Sequence, residues 1–298
     1  MSAGSPDALR RAVDLLRAGE TVALPTETVY GLAADALNID AALKIFEAKE
    51  RPRFDPLIVH LPSRDWLPRL TSLRATEEKL IDEFWPGPLT LVLPRKSIVP
   101  DIVTAGLETV ALRMSAHPVF REIIGGFGGP LAAPSANRFG HISPTAAEHV
   151  AAELDGRIPL IVDGGPTTHG LESTIVAVRN NAIEVLRPGP VTEEQLGRYA
   201  EVRCVSSGAR PEAPGQLPTH YAPRTPLVLT KDAARFRSEG KKIAILTLPN
   251  DLREAAANLF RRLRELDESG VDLIVAEEVP EIGLGRAIMD RLRRAAVR

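Results

Sequence analysis

The chain has 298 residues, which is enough for a substantial core and more typical of two domains than of one. Hydrophobic residues make up 44% and charged residues 26%, an ordinary composition for a globular protein. A net charge of −2 excludes a strongly basic nucleic-acid binder by bulk charge, although a local basic patch remains compatible with it. The single cysteine, Cys204, excludes a disulfide framework within the chain. We expect Cys204 to fill a small space in the core.

The N-terminus lacks a basic segment followed by an apolar stretch, so we expect no signal peptide. No apolar run approaches the roughly 18 residues of a membrane-spanning helix. Together with the lone cysteine, these observations predict a soluble protein of the reducing cytoplasm that has no membrane partner.

The predicted elements alternate between helices and strands and favour a mixed sheet covered by helices. Ser5-Pro6 predicts a helix start, and Asn180-Asn181 predicts a two-residue hairpin turn because asparagine tolerates positive φ. Further helices are predicted from residue 40 to near 51, over 77–84 with Thr76 as cap, and from Ser143-Pro144. Strands are predicted at 21–24, 57–61, 89–93, 109–113, 158–162, 174–178 and 183–186.

The composition changes at residue 206, where proline, glycine and small residues predict a linker over 206–225. This divides the chain into a first domain at 1–205 and a small α/β domain at 226–298. In the second domain, strands are predicted at 226–229, 242–246 and 271–276. A helix at 252–266 and a basic helix at the C-terminus complete a unit of the βαβ kind.

The segment 49–60 places three cations, Lys49, Arg51 and Arg53, at alternate positions before an apolar run. Pro52 disfavours helix at Arg51, so the preceding helix should end there. Because residues two apart share a face of an extended chain, the three cations are expected to project into one place. Such a cluster suits a polyphosphate, but a solvated basic turn explains this segment equally well.

Polar side chains also follow the predicted strand 21–24 and the short apolar run 130–132, and the ends of strands are where α/β proteins place ligands. The turn 25–31 contains two threonines, a glutamate and a tyrosine, and the segment 133–137 contains Ser135 and Asn137. Either turn, taken alone, is also explained by side chains that satisfy backbone groups. The glycines at 125–129 fit neither nucleotide-binding glycine motif, and we expect a flexible loop there. The six histidines lack the spacing of a zinc site.

Taken in order, these segments resemble the threonylcarbamoyl-AMP synthase family, the first enzyme of tRNA t6A synthesis. The matching segments lie at 25–32, 48–60, 86–93, 109–113, 133–137, 173–175, 187–189, 220–223 and 283–294. The resemblance implies a YrdC-like twisted mixed sheet flanked by helices, followed by a small Rossmann-like α/β domain. Several spaced motifs in the right order are far more specific than any one of them.

The resemblance implies a nucleotidyltransferase that uses L-threonine, bicarbonate and ATP with Mg²⁺. Candidate partners are tRNA or the proteins that transfer the threonylcarbamoyl group. Lys49 and Arg51 match catalytic positions. The positions that match ATP-binding residues are Lys49, Arg51, Asp55, Thr109, Ser135, Asn137, Ser143, Arg187 and Tyr221, the last being a linker residue that closes over the nucleotide. Those that match L-threonine-binding residues are Thr28, His60, Arg113, Ala133 (through its backbone) and Ser173.

The sequence departs from the family pattern at three places. Asp55 stands where the family generally carries asparagine, and a carboxylate there would repel phosphates unless it meets the metal, the ribose or an arginine. The linker lacks the usual lysine and extra tyrosine after Gly215. The second domain is short between residues 248 and 252. These departures affect closure of the linker more than the chemistry.

Two other functions compete with the synthase. One is an RNA-binding module on the same fold, which an aromatic content of 4% and the negative net charge disfavour. The other is a carbamoyl-transfer domain, which normally sits in a longer chain with zinc-finger cysteines. The order of the motifs favours the synthase.

Overall fold

The computed structural model describes residues 1–2, 4–205, 211–217, 219–237 and 240–297. Residues 206–210 and 218 of the predicted linker therefore lie outside the described residues. The helices are α1 Pro6–Arg17, α2 Ile39–Lys49, α3 Leu67–Leu70, α4 Ala75–Phe84, α5 Asp101–Thr104, α6 Pro118–Phe127, α7 Ala147–Leu154, α8 Glu193–Leu196, α9 Leu252–Asp267 and α10 Leu284–Ala296, with a 3₁₀ turn at Arg64–Trp66.

The strands form two separate sheets. The strands are β1 Val22–Leu24, β2 Gly31–Asp35, β3 Ile58–His60, β4 Leu89–Pro94, β5 Thr109–Arg113, β6 Leu131–Ala132, β7 Thr174–Arg179, β8 Ala182–Arg187, β9 Glu201–Cys204, β10 Leu227–Thr230, β11 Ile243–Leu246 and β12 Leu273–Glu277. The first nine strands make one mixed sheet in the order β1-β2-β6-β3-β5-β4-β7-β8-β9. The last three make a parallel sheet in the order β10-β12-β11. This architecture confirms the predicted mixed α/β fold with a second, smaller α/β unit.

The parallel pair β3–β5 sets the floor of the site. Ile58 pairs with Ala111, and His60 pairs with Arg113, so these two polar side chains end neighbouring strands. On the other side of β5, the antiparallel strand β4 pairs Thr90 with Arg113. Because both β3 and β5 run in the same direction, their carboxyl ends present these side chains at one edge of the sheet.

Helix α2 ends where Pro52 predicts. Glu50 caps it with a left-handed φ of 53°. The chain then makes a turn, in which Asp55 N–H donates to the Pro52 carbonyl at 3.3 Å, before it enters β3. The hairpin turn is also confirmed, since Asn180 and Asn181 have φ of 50° and 60° between β7 and β8. Arg51 directly follows the cap of α2, and Arg187 is the last residue of β8, the second strand of the hairpin.

Several local predictions are wrong. Ser143-Pro144 begins no helix, because the Ser143 hydroxyl bonds Glu172 and the Pro144 carbonyl accepts from Tyr30 N–H at 2.9 Å. Helix α7 begins only at Ala147. Residues 158–162 form no strand, and within them Ile161 makes an isolated bridge with Ala23.

Three further predictions differ from the structure for local reasons. Helix α4 begins at Ala75, and its cap is Arg74 rather than Thr76 because Glu77 accepts from the Arg74 N–H. Gly125 and Gly126 lie inside the last turn of α6, and Gly128 caps that helix with a φ of 82°. Cys204 ends the edge strand β9 and is exposed instead of filling the core.

Candidate functional site

One pocket brings together most of the side chains that the sequence predicts to bind substrates. It lies between the edge of the large sheet and the chain that leads to the second unit. Predicted residues on its wall are Thr28, Arg51, His60, Arg113, Ala133, Ser135, Ser173, Arg187 and Tyr221. We call Thr28, His60, Arg113, Ala133 and Ser173 the Arg113 half, and Arg51, Ser135, Arg187 and Tyr221 the Arg51 half.

In the Arg113 half, a buried ion pair holds the arginine in place. Arg113 Nη2 donates to Glu27 Oε1 at 2.7 Å, and Nη1 donates to Thr28 Oγ1 at 3.0 Å. Glu27 also accepts from the Ser115 hydroxyl at 2.5 Å. Burial alone would raise the pKa of Glu27, but Arg113 and these hydrogen bonds outweigh it and lower the pKa to about 2. Glu27 is therefore a carboxylate that orients the Arg113 fork toward Thr28.

His60 and Ser173 complete this half. His60 is buried against the Phe120 ring, with ring centroids 4.7 Å apart. Burial, with help from Arg113, lowers the His60 pKa to about 3, so the imidazole is neutral at pH 7. The Ser173 and Thr90 hydroxyls lie 2.8 Å apart. A neutral ring and two hydroxyls offer directed hydrogen bonds beside one fixed cation.

In the Arg51 half, Asp55 meets an arginine. Arg51 donates to the backbone carbonyls of Asp55 and Pro56 at 3.2 and 2.9 Å, and its Nη2 forms an ion pair with Asp55 Oδ2 at 2.8 Å. Burial raises the pKa of Asp55, while Arg51 and Lys49 oppose that shift. The ion pair with Arg51 offsets the negative charge of Asp55, which would otherwise repel phosphates at this position.

Lys49 and Asn137 lie behind the pocket wall. Lys49 Nζ donates to the Ser135 and Asn137 carbonyls at 2.5 Å each. The Asn137 amide donates to the Arg138 and His141 carbonyls at 2.7 and 2.9 Å. Burial, reinforced by the charge of Arg51, holds the Lys49 pKa well below its usual range. In this conformation Lys49 therefore shapes the loop that presents Ser135.

Three other basic or polar residues lie away from the pocket wall. Arg53 is exposed and does not join Lys49 and Arg51, so the prediction that the three cations converge is wrong for Arg53. Thr109 begins β5 opposite Pro94, at the end of that strand remote from Arg113. Ser143 is fully buried and donates to Glu172, which does line the pocket.

Tyr221 closes the pocket. It is only 1% exposed, has a φ of 61°, and its hydroxyl makes no hydrogen bond to the described residues. A side chain at Gly215 would place its Cβ 2.5 Å from that hydroxyl, so glycine is required for the linker to pass there. The remaining cavity is about 40 Å³, room for about three water molecules. A larger ligand therefore needs residues of the pocket wall to move apart.

Sequence reasoning missed four pocket or support residues: Glu27, Glu172, His220 and Arg291. His220 is buried, lines the pocket, and its ring packs against Tyr221 with centroids 4.1 Å apart. Glu27 lies in the turn 25–31, and Glu172 directly precedes the segment 173–175, but no pattern in these segments assigns the two glutamates a role. Arg291 carried a signal, since it falls on the apolar face of α10 beside Ile288 and Leu292.

Among the residues that the structure describes, no helix has the length and apolarity needed to cross a membrane.

Two family models together match nearly the whole chain. A model described as "Telomere recombination" matches residues 14–189, and one described as "Threonylcarbamoyl-AMP synthase, C-terminal domain" matches residues 191–297. The threonylcarbamoyl-AMP synthases of Bacillus subtilis and Pyrococcus abyssi are 44% and 42% identical to the chain. Each alignment covers 97% of this chain, and 92% and 94% of the respective relative.

A solved structure agrees with these matches. The crystal structure of Pyrococcus abyssi Sua5 complexed with L-threonine superposes with a TM-score of 0.91 at 41% identity. The superposition covers 97% of this chain and 94% of that one. Fold and sequence agree: the chain belongs to the threonylcarbamoyl-AMP synthase family.

Proposed function

We propose that the chain condenses L-threonine, bicarbonate and ATP into threonylcarbamoyl-adenylate and pyrophosphate, for the t6A modification of tRNA. The observation that carries this proposal is the convergence of three buried guanidinium groups, Arg51, Arg113 and Arg187, on one pocket with hydroxyl donors. Fixed cations of this kind suit two anionic substrates better than a single neutral one.

The reaction needs fixed charge more than a strong base. The threonine nitrogen attacks the carbon of bicarbonate, and loss of water leaves a carbamate. A carbamate oxygen then attacks the α-phosphorus, and the bond to the bridging oxygen breaks as pyrophosphate leaves. The attacking group, the phosphates and the leaving group are all negative, so oriented cations lower the cost of bringing them together.

The Arg113 half is proposed to bind L-threonine. Arg113 has a planar fork that suits a carboxylate, and Glu27 fixes its direction. Thr28, Ser173 and neutral His60 supply hydrogen-bonding groups for the amine and hydroxyl, and the Ala133 backbone lies on the same wall. A buried site that hydrogen-bonds the threonine hydroxyl would discriminate against amino acids that lack it.

The Arg51 half is proposed to bind ATP. Arg51 and Arg187 face the phosphates, Ser135 adds a hydroxyl, and Tyr221 covers the nucleotide. Lys49 and Asn137 hold the Ser135 loop, and Lys49 is proposed to reach the phosphates once its two carbonyl partners shift. Asp55 pairs with Arg51, and Ser143 donates to Glu172, so we assign both supporting positions beside this half. Thr109 lies away from the pocket wall, at the start of β5.

Magnesium is proposed to arrive bound to ATP, as part of the substrate. The side chains do not fit a protein-held ion, because the two nearby carboxylates, Asp55 and Glu172, already pair with Arg51 and Arg291. Within the described ranges, no three His, Cys, Asp or Glu side chains are placed to hold a metal. Phosphate oxygens and water suit Mg²⁺ in such a site.

The product is a mixed anhydride, so a downstream protein that transfers its threonylcarbamoyl group to tRNA is the partner we propose. We place both steps in the cytoplasm.

Incubation with MgATP, L-threonine and ¹³C-bicarbonate tests the proposal. We expect a product with the mass of threonylcarbamoyl-adenylate that carries the label, together with pyrophosphate, only when all components are present. If the folded protein binds RNA in a salt-dependent way but makes no such product, the RNA-binding module is favoured instead.

A further inference from the structure

Helix α10 of the second unit carries a charged residue on its apolar face. Arg291 is fully buried, and it lies among Ile288, Leu292 and Ala295, which pack into the core of that unit. A buried guanidinium is costly unless it is paired, and hydrophobic residues of similar volume often stabilise a fold as well or better. The position of Arg291 therefore requires an explanation beyond packing.

Arg291 reaches out of its own unit to the wall of the pocket. Its Nε donates to Glu172 Oε2 at 2.8 Å, and its Nη1 donates to the Pro188 carbonyl at 3.0 Å. Its guanidinium carbon lies 5.0 Å from the centre of the Tyr221 ring. Arg291 thus contacts two residues of the pocket wall, Glu172 and Tyr221, and the neighbour of a third, without lining the pocket itself.

Each of these contacts supports the Arg51 half. Glu172 is a carboxylate on the wall, and its other oxygen accepts from Ser143. Pro188 follows Arg187 directly, and Tyr221 closes the cavity. Among the described residues, Arg291 is the cation that pairs with Glu172. Without Arg291, that carboxylate would lose its ion-pair partner on the wall proposed to face the ATP phosphates.

We propose that Arg291 is a positioning residue for the nucleotide: it neutralises Glu172 and supports the Tyr221 ring, so the second unit completes the Arg51 half. The inference rests on the proposed function. Arg291 makes no contact with the Arg113 half, where Arg113 is held by Glu27 and Thr28. Loss of Arg291 should therefore weaken the binding of ATP and leave the binding of threonine unchanged.

The test compares Arg291→Met with Arg286→Met. Arg286 lies on the same helix and also joins the two units, pairing with Glu194 at 2.5 Å, but it does not contact Glu172 or Tyr221. Steady-state pyrophosphate release should give Arg291→Met a KM for ATP raised about tenfold, because an uncompensated buried charge is left on the wall. The KM for threonine should stay within about twofold, and Arg286→Met should match the unsubstituted protein in both.

A second variant keeps the test decisive if Arg291→Met folds poorly. In Glu172→Gln/Arg291→Met both charges are gone, and we expect most of the ATP affinity to return. Equal increases in both KM values, or an unchanged KM for ATP, in folded Arg291→Met would overturn the inference. Failure of the unsubstituted protein to form the labelled product would instead refute the proposed function.

Discussion

The two halves of the pocket differ in where their supports originate. Arg113, Thr28 and Glu27 all belong to the unit of the nine-stranded sheet and hold one another through direct hydrogen bonds. The Arg51 half takes Tyr221 from the linker, and its wall residue Glu172 is held by Arg291 from the final helix. The first half is therefore preformed within one unit, whereas the second depends on how two units dock. Ligands of the two halves should respond differently to the same kind of damage.

The largest effect should come from the cation at the centre of the Arg51 half. Arg51→Ala removes an oriented donor and leaves Asp55 without its partner, so we expect turnover to fall at least about a hundredfold. Pyrophosphate release at saturating substrates measures this. Arg53→Ala is the matched control, since Arg53 is exposed two residues away and should keep normal turnover. Near-normal turnover in Arg51→Ala would remove Arg51 from the mechanism.

A substitution at the central cation of the Arg113 half should weaken the binding of threonine. Arg113→Lys keeps the charge but loses the fork that spans Glu27 and Thr28. We expect the KM for threonine to rise about thirtyfold, which corresponds to the roughly 2 kcal/mol of a charge-assisted hydrogen bond. The KM for ATP should change little. Arg203→Lys, at an exposed pair on β9, is the control. A larger change for ATP than for threonine would reverse our assignment of the halves.

Tyr221 tests whether closure depends on its ring or its hydroxyl. The ring is buried against His220 and Arg291, while the hydroxyl makes no hydrogen bond to the described residues. We therefore expect Tyr221→Ala to lower kcat/KM for ATP about tenfold, whereas Tyr221→Phe stays within about twofold. Both variants should remain folded by circular dichroism. Equal losses in the two variants would indicate that the hydroxyl contacts the nucleotide.

The last prediction concerns the acid stability of the preformed half. Because the folded pKa of Glu27 is about 2 and its ordinary value is 4.5, its stabilisation is complete above pH 4.5 and is lost toward pH 2. His60, with a folded pKa of about 3 against 6.5, adds a loss that begins as pH falls below 6.5, because the unfolded imidazole takes up the proton first.

Urea unfolding between pH 7 and 3 measures this dependence. Glu27→Gln should lower the free energy of unfolding by about 3 kcal/mol at pH 7, and its difference from the unsubstituted protein should shrink below pH 4.5. Glu108→Gln, at an exposed position, should leave the curve unchanged. A difference that stays constant down to pH 3 would show that the Glu27 charge does not contribute.

Regular elements with clear boundaries could be predicted from sequence. Strand β5, the end of α2 before Pro52 and the Asn180-Asn181 turn follow from side-chain patterning and backbone restriction. Strand β2 was missed because Gly31–Asp35 consists mainly of small buried residues without alternation. Strand β9 was missed because it is a largely exposed edge strand.

The residues of the site that lie in motifs were predictable from the sequence, but the residues that hold them in place were not. The motifs that carry the family resemblance led to nine residues of the pocket wall. The pairs Glu27–Arg113 and Glu172–Arg291 join residues 86 and 119 positions apart, and no local pattern reports such contacts. Ser143-Pro144 misled for the same reason, since a tertiary contact with Glu172 replaced the local cap.

The central claim is that one pocket holds threonine in the Arg113 half and ATP in the Arg51 half. Calorimetric titration of Arg51→Ala and Arg113→Lys with each ligand separately tests it most directly. We predict a crossed result, in which Arg51→Ala loses ATP binding and keeps threonine binding, while Arg113→Lys does the opposite. If both variants lose both ligands equally, or lose the opposite one, the division of the pocket is contradicted.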